Sequence, residues 1–280
     1  MERFSDMLIT ERKFGIFNFA NIYFADEPLS NAFPDCDVVT YYTFKNWGDI
    51  KGYEKNKCLT TIIDLTQDCD VIWKKISRQH KRHIRRAEKN GTIVKMSNNF
   101  EEFHQINKQF LKQKNLTDPF GLNILSSEFM QKYGVLFIAE NQGEIIGGNL
   151  YFHDKDIVFL VNIAYKNFEN TIENKKRRAA ANCYLHWKAM QYFKRMDIIR
   201  YEIGDVSSDD INISHNLNGG EYFKRCFGGE VTSLYRYTKF NSRVNKLLFH
   251  SWNFFTNTYK IPARIYQKHK YFFLIFKSVN

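Results

Sequence analysis

The stretch from Val135 to Asp197 limits what this 280-residue chain can fold into more than any other part of it. VLFIAENQGEIIGGNLYF reads as two strands joined at Asn141, Gln142 and Gly143, because apolar runs flank a polar break that contains glycine. DIVFLVNIAY follows as a buried strand. RRAAANCYLHWKAMQYFKRMD then gives the strongest helical pattern in the sequence. A hairpin, a third strand and a long helix in that order require a sheet with a helix packed on it. IIRYEIGD supplies the next strand, VSSDDINISHNLNGG reads as a long polar loop, EYFKRCF as a short helix and VTSLYRYTKF as a closing strand.

Upstream, TTIIDL is an apolar run of strand type. Asp68 then offers a cap to one helix running through IWKKISRQHKRHIRRAEKNG and ended by Gly91. Trp73, Ile76, His80, Ile84 and Ala87 recur on it at spacings of three and four, which predicts one buried stripe. TIVKM reads as a strand, FEEFHQINKQFLKQKN as an amphipathic helix carrying Phe103, Ile106 and Phe110, and SSEFMQKY as a shorter helix. The first 58 residues read as aromatic-rich and irregular, with strand-like pieces such as FGIFNFANIYF. The fold class this order predicts is mixed α/β (α+β), a central mixed sheet flanked by helices. Residues 1–90 are expected to form a partial amino-terminal half-domain, 91–238 the main domain and 239–280 a separate tail.

Hydrophobic residues make up 44% of the chain and aromatics 16%, with only four prolines, so disorder is excluded as the main state. The amino terminus lacks an apolar signal core, and no run approaches the ~20 apolar residues of a membrane-spanning helix. Five scattered cysteines without metal-ligand spacing fit reduced thiols, a cytoplasmic setting and no metal site.

The net charge of +11 is unevenly placed, since Lys239 to Asn280 holds eight Lys or Arg and no acid. That tail also carries eleven aromatics, and Leu248, Trp252, Phe255 and Tyr259 follow helical spacing up to the break at Pro262. Its composition suits peripheral contact with an anionic membrane; a helix folded onto the main domain is the other reading. KKRR at 175–178 places four cations at the expected start of the long helix. They oppose the helix dipole there unless an anion sits between them and the helix amides, as a phosphate would, or unless they merely face solvent from the preceding loop. Arg78, Lys81, Arg82, Arg85 and Lys89 form a second cationic stripe. Arg78, Arg82 and Arg85 are candidates for binding an acceptor or its phosphates; a solvated helix face is the plain alternative. His153, Asp154, Glu202 and Asp205, all near strand ends, are candidate general bases.

Three stretches resemble the Fem-type peptidyltransferases, a branch of the GCN5-related N-acyltransferase superfamily. TTIIDL with KRHIRRAEKNG is similar to the end of their first half-domain, AANCYLHWKAMQYFKRMDIIRYEIGD to the helix and strand after their central loop, and YFKRCFGGE to the signature before their last strands. The resemblance covers roughly residues 60 to 238. It implies an acyltransferase-type fold and transfer of an acyl or aminoacyl group to an amine of a cell-wall or surface-glycan precursor. In that scheme Lys224 stabilises the oxyanion, Phe223 shields it, and Glu202 stands where the relatives carry a carboxylate. Asn162 and Ala164 give the donor backbone hydrogen bonds, and Lys176, Arg177 and Arg178 hold its phosphates.

The implied donor is aminoacyl-tRNA or acyl-CoA, a co-substrate rather than a tightly bound cofactor. The implied partners are tRNA and a lipid-linked or nucleotide-linked glycan precursor, met at the inner face of the plasma membrane. The chain departs from the pattern in several places. KKRRAAAN has no glycine where acyl-CoA members place a glycine-containing loop. Glu202 stands where relatives often read Asp, and Asp205 where they read Gly. No segment matches the long helical arm of some Fem proteins. An acyl-CoA-dependent sugar N-acetyltransferase, a non-catalytic RNA-binding module and a membrane-associated scaffold are the rival readings.

Overall fold

The structure is a computed structural model, and it describes residues 8–14, 17–29, 33–113, 130, 133–166, 171–206, 219–247 and 250. The helix expected at SSEFMQKY, most of the loop at VSSDDINISHNLNGG and the tail from residue 251 lie outside the described residues. Contacts divide the chain into one unit of Met1–Cys58, Asn115–Ile124 and Ser233–Asn280, and another of Leu59–Lys114 and Leu125–Thr232. The division is not sequential.

In the second unit the strands are β4 (Tyr53–Asp64, of which Tyr53–Cys58 belong to the first unit), β5 (Ile93–Ser97), β6 (Gly134–Asn141), β7 (Glu144–His153), β8 (Ile157–Tyr165) and β9 (Arg200–Val206). The helices are α1 (Cys69–Lys75), α2 (Arg78–Lys89), α3 (Phe100–Gln113), α4 (Ile172–Arg195) and α5 (Gly219–Arg225). The strands lie in the order β4-β9-β8-β7-β6-β5. Neighbours are antiparallel except β8 and β9, which run parallel because α4 carries the chain back between them. The mixed α/β expectation therefore holds, and so do the hairpin and the long helix. The turn between β6 and β7 has positive φ at Gln142 (54°) and Gly143 (78°), the paired left-handed geometry that matches the twist of a hairpin.

The central strands are buried almost throughout, and Ala180, Ala181, Leu185, Ala189 and Phe193 of α4 share a core with their Phe137, Tyr151, Val158 and Tyr201. The short alanine side chains let a 24-residue helix lie close to the strands. Gly148 does the same for α3, since a Cβ there would come within 3.3 Å of the Phe103 ring.

One expectation is corrected here. The helix read from residue 72 to 91 is two helices, α1 and α2, broken at Ile76 and Ser77. Ile76 is extended (φ −63°, ψ 135°) and buried, and the Ser77 hydroxyl accepts from His80 N–H at 3.2 Å as the cap of α2. The apolar spacing runs on across the break, so periodicity alone hides it.

The first unit is more regular than its sequence suggests. β1 (Leu8–Phe14), β2 (Phe17–Tyr23), β3 (Val38–Thr43) and β10 (Glu230–Phe240) lie in the order β1-β2-β3-β10. β2 and β3 are parallel and the other pairs antiparallel. Ala20, Ile22, Val39, Tyr41 and Tyr237 form its core. Trp47 stacks on Tyr237 at 4.7 Å and donates its backbone N–H to the Tyr237 hydroxyl at 2.8 Å. β-Branched and aromatic alternation was masked by interspersed polar residues such as Asn18, Asn21 and Thr40.

Ser77→Ala removes the α2 cap without touching the core. It should cost ~1 kcal/mol in urea unfolding, while Ser97→Ala on β5 should cost less than half of that.

Candidate functional site

The short helix α5 carries EYFKRCF into the core of the second unit. Phe227 is fully buried and Phe223 half-buried, with ring centres 5.1 Å apart. Two histidines flank them. His80 of α2 lies 4.8 Å from each ring, and His186 of α4 lies 5.4 and 5.2 Å away. Burial pushes His80 down to about 4, with the nearby His83 adding to the push, and pushes His186 down to about 3. Both rings are therefore neutral packing partners of α5 at ordinary pH, as their places on apolar helix faces suggest. The start of α2 is also tied to α5, since Ser77 N–H donates to Cys226 O at 2.8 Å and Tyr222 Oη to Gln79 Oε1 at 3.0 Å.

The Gly-Gly pair after this helix has a steric cause. Gly228 is in the left-handed region (φ 75°), and a Cβ there would lie 2.7 Å from the Lys75 carbonyl oxygen. At Gly229 a Cβ would lie 2.6 Å from Thr61 Cγ2 and 3.0 Å from the Ile62 carbonyl oxygen. The turn leaving α5 is thus pressed onto the end of α1 and onto β4, and neither contact admits a side chain. Phe-Lys and Phe-Gly-Gly-Glu belong together because the same turn sets the position of both.

The parallel pair β8–β9 is joined over three residue pairs, from Ile157↔Arg200 to Phe159↔Glu202. β8 then continues to Tyr165 along β7, while β9 continues to Val206 along β4. Glu202 sits at the last joined position. It is 7% exposed and accepts a hydrogen bond from the Thr60 hydroxyl of β4, a residue that is itself fully buried. The β4–β9 register slips between Thr60 and Ile62, which brings Thr60 to that carboxylate.

Two residues further along β9, Gly204 (φ 114°) faces Lys224. A Cβ at Gly204 would stand 3.1 Å from Lys224 Nζ and 3.2 Å from its Cε. Lys224 comes from the last turn of α5, where the partial negative charge of the helix end favours a cation. The structure therefore places Lys224, Phe223 and Glu202 within one neighbourhood, next to where β8 and β9 part.

Asn162 and Ala164 lie on β8 beyond the parting and pair with Leu150 and Gly148 of β7. Both are buried. Among the described residues, Asn162 Nδ2 has no hydrogen-bond partner. His153 and Asp154 stand at the other end of β8, where His153 pairs with Val158. The Asp205 side chain lies outside the described residues.

The cationic runs are placed differently from expectation. α4 begins at Ile172, with Thr171 as its cap, accepting from Asn174 N–H at 3.1 Å. KKRR therefore starts in the second turn of the helix, three residues inside its first residue, and the reading that put it at the helix start is corrected. Glu173 holds the first turn, where an acid suits the dipole, and it pairs with Arg86 of α2 at 2.7 Å. Arg177 faces Glu144 at 3.6 Å, while Lys176 is exposed and Arg178 half-buried. On α2, Arg78, Arg82 and Arg85 are exposed, and Arg85 lies over the Trp73 ring at 5.8 Å, with Lys81 at 5.9 Å.

Two further features escaped the sequence. One is Thr60, hidden within an apolar strand whose only sign was the polar pair Thr60-Thr61. The other is a buried chain of hydrogen bonds. Asn149 Nδ2 donates to Tyr151 Oη at 3.1 Å, Tyr201 Oη–H donates to the same oxygen at 2.8 Å, and His186 Nδ1 lies 2.7 Å from Tyr201 Oη. Because the Tyr201 proton goes to Tyr151, its oxygen accepts from His186, which fixes the Nδ1–H form of a neutral ring. The chain ties α4 to β7 and to the residue preceding Glu202.

Two outcomes follow from this packing. Gly228→Ala should destabilise by at least ~1–3 kcal/mol in chemical denaturation, since it combines a left-handed φ with a backbone clash. His80 and His186 both have folded values below the ordinary 6.5, so the unfolded chain takes up their protons first. The stability they contribute is present above pH ~6.5 and is lost as pH falls towards about 4. His80→Gln should flatten the fall in unfolding midpoint over that window relative to the wild type.

No protein-family model matches the chain, and no curated sequence is similar to it at a significant level. Solved structures do match. The carboxy-terminal domain of a putative lysylphosphatidylglycerol synthetase from Agrobacterium fabrum is similar with a TM-score of 0.56 and 13% identity, over 88% of this chain and 84% of that one. FemX matches with a TM-score of 0.56 and 12% identity over 88% of each chain. The L-PGS of Bacillus licheniformis matches with a TM-score of 0.53 and 15% identity, over 87% and 84%. The chain thus shares its fold with FemX and with these two further proteins, the fold that the resemblance to the Fem-type proteins implied.

Proposed function

We propose that the chain is an acyltransferase that moves an aminoacyl or acyl group from an activated donor to an amine of a cell-wall or surface-glycan precursor on the cytoplasmic side of the membrane. The observation that carries this reading is Lys224 over Gly204, beside the place where β8 and β9 part. Strands that separate leave backbone groups of β8 open to an extended donor, with Asn162 and Ala164 along its path. The attacking amine forms a C–N bond to the donor carbonyl carbon, and negative charge gathers on the carbonyl oxygen. In this reading the Lys224 ammonium stabilises it, with Phe223 limiting access of water. Collapse then breaks the C–O bond of a tRNA ester or the C–S bond of a thioester. The leaving group takes the electron pair and, with Glu202 as carrier, the proton that the amine gives up.

One of the similar structures is named as a putative lysylphosphatidylglycerol synthetase, which supports an aminoacyl group as the cargo. The position of KKRR within α4 also weakens the case for a phosphate seated on the helix amides. Lys176, Arg177 and Arg178 would then reach donor phosphates as side chains, and Arg78, Arg82 and Arg85 would reach those of the acceptor.

The test is a pair of measurements on the full chain. Millimolar coenzyme A at a hundred times its dissociation constant would stabilise by ~2.7 kcal/mol, a clear rise in melting temperature. The aminoacyl reading expects no such rise, and expects label from charged tRNA to appear on an amine-bearing precursor. Lys224→Ala should lower that turnover by ~10²–10³-fold while the protein stays folded. An unaltered rate removes Lys224 from the mechanism, and a rise with coenzyme A moves the donor to a thioester.

A further inference from the structure

We propose that the helix beginning at residue 243 is an interfacial anchor, which lays Val244 and Leu247 on an anionic lipid surface. The inference is independent of the acyl-transfer reading, because all its residues lie in the first unit. Ser242 caps this helix, its hydroxyl accepting from Val244 N–H at 3.1 Å and Asn245 N–H at 3.4 Å. One side of the helix is held down by polar contacts. Asn245 Nδ2 donates to Asp37 Oδ1 at 2.6 Å, Lys246 Nζ lies 2.8 Å from Glu54 Oε1, and His250 Nε2 lies 3.1 Å from the same oxygen.

Lys246 and His250 are one helical turn apart, so they mark one face. Val244 and Leu247 mark another, and they are 62% and 68% exposed. Turning these two residues inward would break the contacts to Asp37 and Glu54. The helix is therefore oriented with an apolar side outward.

Leu248, Trp252, Phe255 and Tyr259 fall at helical spacings from Val244. Arg243 is exposed beside Val244, and Lys239 to Asn280 contains eight Lys or Arg and no acid. A protein groove would ask for the apolar residues alone. An acid-free set of cations around Trp, Tyr and Phe matches the charge of an anionic bilayer and the amphipathic character of its headgroup layer. No described helix is long and apolar enough to cross a membrane.

Vesicle co-sedimentation of the full chain tests this. Phosphatidylglycerol–phosphatidylcholine vesicles should bind at least tenfold more strongly than pure phosphatidylcholine, and added salt should weaken the binding. The double variant Val244→Asp with Leu247→Asp should lose at least tenfold of that binding with an unchanged melting temperature, since both side chains are exposed. Absence of wild-type binding overturns the proposal, and so does equal binding by the double variant, which would leave the charges acting alone. A concentration-dependent dimer abolished by the same variant, without vesicle binding, would assign the face to a second copy of the chain and also overturn it. Transfer to a water-soluble acceptor should be unaffected in the double variant, so failure here and failure of the acyl-transfer reading are separately visible.

Discussion

Two parallel strands held together over only three residue pairs are the constraint around which the second unit is arranged. A parallel pair needs a long crossover, and α4 supplies it by spanning the sheet face with alanines against the strands. Once past Phe159 and Glu202 each strand has a different outer partner, β7 on one side and β4 on the other. The last joined residue is a carboxylate that would be costly to bury alone, and the Thr60 hydroxyl offsets part of that cost. α5 and its Gly-Gly turn then bring a cation to the same place. Glu202 and the Gly204 that faces Lys224 are thus both positioned by the partition of β9 between two neighbours.

The aromatic and histidine packing around α5 shows how a lysine can be held there by a helix of only seven residues. Such a helix is unstable by itself. Its hold comes from Phe223 and Phe227 wedged between neutral His80 and His186, and from the α2 contacts at Ser77 and Gln79. Neutral imidazoles suit this role because their faces pack like aromatics, while a ring nitrogen can still serve a partner such as Tyr201. Charging either ring would place an ion among apolar neighbours, so the same contacts that position Lys224 also set an acid limit on the unit.

Much of this was legible in the sequence, and what was not has physical causes. The hairpin and α4 were readable because their periodicity is strong and their turn residues are diagnostic, as at Gln142-Gly143. The YFKRCFGGE signature could be recognised by resemblance, but its reason, two glycines touching Lys75 and Thr61, depends on contacts more than 150 positions away in the chain. The break at Ser77 was hidden because apolar spacing survives it. KKRR was misplaced because Thr171, four residues earlier, is the true cap. Thr60 and Gly204 carry no local pattern, and only the register slip in β4 and the approach of Lys224 give them a role.

The pairing of β10 with β3 sets an order on how the first unit can come into being. Val38–Thr43 is matched against Tyr235–Phe240, and Tyr237 is a fully buried part of the core that also receives Trp47. During synthesis β1, β2 and β3 emerge early, yet the residue that fills their core arrives almost two hundred positions later. In the interval the second unit can be completed from residues 59–232, whereas the amino-terminal strands must wait with apolar surface uncovered. Their exposure on the ribosome is built into the topology, and any helper that shields nascent apolar strands would find its earliest target in the first forty-odd residues.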